Sequence, residues 1–84
     1  MKPVTQTPIP YKYFDQVFVI VENLMNKVGY RVVKVKTIKE DYYEDWIDHI
    51  YQNSKGDKII VRVIVYKRFR DVFADPYAFS ITLI

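Results

Sequence analysis

His49 is the chain's single imidazole, and it lies between Asp48 and Ile50 with Asp45 three residues before Asp48. As a general base it would need a hydroxyl to activate, and only Ser54 and Ser80 are serines. Neither sits in the glycine-flanked elbow that exposes a nucleophile. Glu40, Asp41, Glu44, Asp45 and Asp48 could supply hard oxygen ligands to Mg²⁺ or Ca²⁺, but their spacing is not that of a calcium loop. With no cysteine there is no thiolate chemistry. With glycine only at 29 and 56 there is no loop to cradle a phosphate. The residue types thus predict a non-catalytic protein without metal or cofactor.

Binding chemistry is better represented. Tyr43, Glu44, Asp45, Trp46 and Asp48 combine aromatic anchors with carboxylates, a pattern suited to docking on a basic protein surface. Lys34, Lys36, Arg62, Tyr66, Lys67, Arg68 and Arg70 form the opposite set, cations with an interleaved aromatic, which suits phosphates and stacked bases. Charge is segregated accordingly. Residues 1–39 carry seven Lys or Arg against two acids, residues 40–57 one against six, and residues 58–84 five against two.

The elements that must position these groups follow from hydrophobic period. Residues 58–70 alternate as a strand, with Ile59, Val61, Val63 and Val65 on a core face and Ile60, Arg62, Ile64, Tyr66 and Arg68 on the other. Residues 1–10 contain three prolines and no apolar period, and read as a flexible arm. Over residues 11–28, Phe14, Val17, Phe18, Val21, Leu24, Met25 and Val28 recur at spacings of three and four, an amphipathic helix stopped by Gly29. Residues 30–37 form a strand with Val33 and Val35 inward and Lys34 and Lys36 outward. Residues 40–53 fit either of two templates. The first is a strand turned into the next through Asn53 to Asp57; the second is a helix over about 38–54 that would leave a three-stranded sheet. Residues 71–76 break the pattern after Phe69 and Arg70, with Val72 and Phe73 in the same loop. Residues 77–84 then alternate with Tyr77, Phe79, Ile81 and Leu83 inward and Ala78, Ser80 and Thr82 outward.

The expected fold is α+β: an N-terminal amphipathic helix packed on an antiparallel sheet of about four strands, forming one domain over residues 11–84. Val and Ile number 22 against 4 for Leu and Ala together, which favours sheet over helix. At 84 residues the margin of stability is thin, and a homodimer through the uncovered face or an edge strand is the cheapest way to extend the core. No apolar run approaches the ~20 residues of a membrane span, and no secretory signal is present, so an intracellular protein is expected.

The order of a helix ending in glycine, a strand, and a hairpin containing Asp48 is similar to the core of the archaeal Holliday-junction resolvases over residues 11–68. In that family an acid-x-Lys on the third strand completes a metal site, whereas this chain reads Val61-Arg62-Val63 there. The activity therefore does not carry over. The sequence predicts a small protein-interaction or inhibitor module of the kind viruses and plasmids encode, docking a protein partner through the acidic aromatic segment. Its alternative is a nucleic-acid binder using the basic set.

Overall fold

The computed structural model describes residues 8–67 and 76–84. Its elements run β1 (Ile9–Pro10), a 3₁₀ turn (Tyr11–Tyr13), α1 (Phe14–Lys27), β2 (Arg31–Glu40), β3 (Glu44–Gln52), β4 (Lys58–Lys67) and β5 (Pro76–Leu83). The strands form one five-stranded antiparallel sheet in the order β1-β5-β4-β3-β2. One helix on an antiparallel sheet is the α+β arrangement expected. The helical template for residues 38–54 is overturned, since that region is the end of β2, a turn and β3. The arm expected over residues 1–10 is shortened, because Ile9 and Pro10 pair with Phe79 and Ala78; residues 1–7 lie outside the described residues.

Local signals set the boundaries. Gly29 adopts φ +88 and lets the chain close the helix, its N–H donating to the Asn26 carbonyl at 3.0 Å while the Tyr30 N–H donates to Met25 at 2.9 Å. These are the two bonds of a Schellman stop, and Tyr30 packs against the cluster of Met25, Tyr51 and Val61. In the β3–β4 turn, Asn53 Oδ1 accepts from the Lys55 and Asp57 amides at 3.0 and 2.9 Å, and Gly56 takes φ +89. A short amide side chain replaces the missing backbone partners, which is why Asn begins this turn. The β2–β3 turn uses Asp41 in the same way, its Oδ1 accepting from Tyr43 and Glu44, both at 2.8 Å. Those two amides, with Lys39 adding a smaller effect, hold the Asp41 carboxyl below its ordinary pKa.

Residues opposite each other in antiparallel strands share a face. Val61, Val63 and Val65 stand opposite Leu83, Ile81 and Phe79 on β5, and opposite His49, Ile47 and Asp45 on β3. This is the side that α1 covers. Phe14 meets Phe79 edge-on with centroids 5.0 Å apart, Phe18 lies 4.7 Å from the His49 ring, and Val21 and Met25 pack over Tyr51, Val61, Ile59 and Ile81. The inward alternation expected for residues 58–70 and 77–84 therefore holds where it is described, although Leu83 is exposed and the outward Ala78 and Ser80 are buried. The Tyr77 side chain, with Arg68, Phe69, Arg70, Val72 and Phe73, lies outside the described residues.

The expectation that Val33 and Val35 are core is corrected. They are 56% and 55% exposed, and every residue of β2 is exposed. The helix crosses β5 to β3 and leaves the β2 margin uncovered. Phe79 is 0% exposed, so Phe79→Ala should destabilise by about 3–5 kcal/mol. Val33→Thr should stay within about 0.5 kcal/mol of wild type. Urea midpoints at unchanged m-value measure both.

Candidate functional site

The acidic aromatic segment forms the turn before β3 and most of β3 itself, the strand next to the sheet edge. Tyr43 is exposed in the turn and meets Tyr42 edge-on at 5.1 Å. Glu44 Oε1 accepts from Lys39 Nζ at 3.3 Å and from Trp46 Nε1 at 2.8 Å. Asp45, on the helix side, forms an ion pair with Lys67 Nζ at 3.0 Å. Asp48, only 2% exposed, stands directly opposite Arg62 and accepts from its Nε at 2.8 Å and its Nη2 at 3.1 Å. Over the Trp46 ring lie two cations, Lys39 Nζ at 5.0 Å and Arg62 Cζ at 5.3 Å from the centroid. All three β3 carboxylates thus meet a cation of the same chain.

The basic set divides in two. Arg62 and Lys67 are engaged as just described, and Lys67 also donates to the Asp41 carbonyl at 3.0 Å. Tyr66 shares a hydrogen bond with Ser80 at 3.1 Å. Arg68 and Arg70 lie outside the described residues. Lys34 and Lys36 behave differently: they project from β2 on the face away from the helix, opposite Ile50 and Asp48, with no ion pair among the described residues.

Two β-bulges extend this cationic row beyond what alternation predicts. The β2–β3 register skips at Val33 and again at Ile38. Each extra residue reverses the alternation beyond it, so Arg31 comes opposite Gln52 and Lys39 opposite Trp46, both on the outer face. Strict period-two counting would put Arg31 and Lys39 on the helix side. Lys39 is engaged by Glu44 and Asp41 at 3.3 Å each, whereas Arg31, Lys34 and Lys36 are unpaired among the described residues. On the helix side the same strand presents Val32 and Val35, with Val33 and Ile38 at the bulges, all exposed. Its free edge is equally available, because β2 ends the sheet and pairs only with β3 among the described residues.

Elsewhere, Val21, Leu24, Met25, Ile81 and Leu83 line an open depression of about 440 Å³ between α1 and β5. Its lining lacks a polar group to orient a ligand. Beneath α1, His49 Nδ1 and the Tyr51 hydroxyl are buried without a hydrogen-bond partner among the described residues. Burial lowers the His49 pKa despite the opposing charges of Asp48 and Glu22, and burial raises that of Tyr51. No group of three or more metal-ligating side chains occurs among the described residues.

Two outcomes follow. Asp48→Ala leaves Arg62, a half-buried cation, without its counter-charge and should cost about 1–3 kcal/mol, read by chemical denaturation, whereas Lys36→Ala should be near neutral. A His49 pKa lower in the folded than in the unfolded chain means that the unfolded chain binds the proton more readily. The stabilisation is complete above the unfolded value of about 6.5 and is lost as the pH falls through the folded value. Denaturation midpoints should therefore decline below about pH 6.5, and His49→Phe should flatten that segment of the profile. Comparison of the chain with protein-family models, with curated proteins and with solved structures finds no match.

Proposed function

We propose that the protein is a small non-catalytic interaction module that docks an extended segment of a protein partner along the free edge of β2. The observation that carries this reading is a ten-residue outer strand, exposed throughout, that presents exposed apolar side chains as well as an edge with no strand partner among the described residues. An edge strand offers a row of backbone donors and acceptors, and a partner strand gains affinity from that row and specificity from alternate side-chain contacts. The acidic aromatic segment contributes by supporting β2 from behind, since its carboxylates are held by Lys39, Lys67 and Arg62. The α1–β5 depression is the weaker docking place, because it offers apolar contact without direction.

A second reading, nucleic-acid binding, is favoured by one observation: the row Arg31, Lys34 and Lys36, which has no ion pair among the described residues. Against it, Tyr66 is hydrogen-bonded to Ser80 and Trp46 already has two cations over its ring. The exposed Tyr42 and Tyr43 rings lie in the turn beyond the end of β2 rather than between its cations, whereas single-strand binders interleave charge with stacking. Binding of a random-sequence oligonucleotide that weakens steeply between 50 and 200 mM salt, in the manner of about three phosphate contacts, would support this second reading.

The interaction reading is tested by selecting peptides from a random displayed library and mapping the winners by amide hydrogen exchange. The expected result is slowed exchange concentrated in β2, with loss of binding in the Val32→Lys, Val35→Lys double variant, whose substitutions fall on exposed positions. Enrichment no greater on wild type than on that variant would sink the reading, as would protection confined to α1 and β5.

A further inference from the structure

We infer that the segment docking on β2 is acidic and amphipathic: a short strand with apolar residues at alternate positions and Asp or Glu between them, from a protein other than a second copy of this chain. This inference rests on edge docking at β2 and specifies its partner. The argument is one of charge and face. Between the bulges at Val33 and Ile38 the β2 register is regular, with Lys34 and Lys36 outward and Val35 and Thr37 on the helix side. A strand added at the edge inherits those faces, because cross-strand neighbours share a side. Its outer residues therefore land beside Lys34 and Lys36, and beside Arg31 if it runs past the first bulge. Its other residues land beside Val35 and Val32, which the helix does not cover.

The same geometry disfavours self-association. Antiparallel pairing of β2 with its copy, keeping Val35 on the helix side, can centre Val35 on Val35 or shift by two residues. Every such register places a lysine at 34 or 36 opposite a lysine at 34 or 36 of the copy. Like charges directly opposite are destabilising in a sheet, and lysine on an edge strand is a common guard against self-pairing. No carboxylate of β3 relieves this row, since Asp48 is already bidentate with Arg62 and Glu44 and Asp45 meet Lys39 and Lys67. An acidic strand converts each repulsion into an attraction. The row thus discriminates between partners as well as attracting one.

The test uses the full chain and three soluble eight-residue peptides with valine at alternate positions and Glu, Ser or Lys between. Fluorescence anisotropy gives affinity at low and high salt, and amide exchange locates the site. Two cross-strand charge pairs at exposed positions, at Lys34 and Lys36, should favour the Glu peptide over the Ser peptide by roughly fivefold at low salt, with most of that preference lost at high salt. The double variant Lys34→Glu, Lys36→Glu, on two exposed positions, should invert the order to favour the Lys peptide. Equal binding of the Glu and Ser peptides with protection on β2 overturns the acidic partner and leaves edge docking standing. Absence of β2 protection with all three overturns both. Salt-sensitive binding of a thymidine oligonucleotide through Lys34 and Lys36, with the Glu peptide inactive, replaces the protein partner by nucleic acid. A dimer in light scattering, with β2 amides protected in the absence of peptide, makes the second copy the occupant and overturns the inference.

Discussion

The bidentate pair between Asp48 and Arg62 is the interaction on which the surface character of this protein depends. It joins the middle of β3 to the middle of β4 at directly opposed positions. Slipping the strands by one residue would move Asp48 to the helix side, where Val61, Val63 and Phe79 leave no room for a charge. Register is specified here by the cost of misplacing a carboxylate as much as by the valines beneath. Because the pair must offset the desolvation of Asp48 and of the half-buried Arg62, its net contribution to stability is modest, while loss of Arg62 would strand a buried carboxylate. Its larger effect is on charge. The carboxylates of β3 are neutralised from within, and the basic character of β2 is left exposed.

A second constraint is coverage. The fourteen residues of α1 span about 21 Å and present a cylinder about 10 Å across, whereas strands repeat at about 4.8 Å. One such helix covers two or three strands. It lies over β5, β4 and β3 because those carry Phe79, Val61, Val63 and Tyr51, the large buried side chains, and β2 falls outside its reach. The exposure of Val32, Val33, Val35 and Ile38 is therefore a consequence of helix count rather than of a polar sequence. The uncovered edge appears on the strand whose opposite face is cationic.

Much of this was legible in the chain. The helix, its stop at Gly29, the hairpin through Asn53 and Gly56 and the opposition of Val61, Val63 and Val65 to the β5 core residues follow from period and turn chemistry. Residues 40–53 were ambiguous for a physical reason. Alternation placed Trp46, Asp48 and Ile50 on one side, but Ile47 and Tyr51 are also spaced as on a helix, and only pairing with Arg62 resolves the conflict. Alternation suggests burial for Val33 and Val35, yet it reports only which side a residue takes and not whether anything covers that side. Arg31 and Lys39 were missed because bulges at Val33 and Ile38 carry no glycine to announce them.

Those bulges connect structure to recognition. By reversing the alternation at both ends of β2 they gather Arg31, Lys34, Lys36 and Lys39 onto one face. They also confine the regular edge to about four residues, too short for a long foreign sheet to propagate. A strand that remained regular over ten residues would split its cations between faces and present a flat template to any extended chain. Bulged, β2 admits a short partner and reads its charge at two central positions. Selectivity then comes from Lys34 and Lys36, affinity from the backbone edge and the valines, and the buried pair behind them keeps β3 from cancelling either.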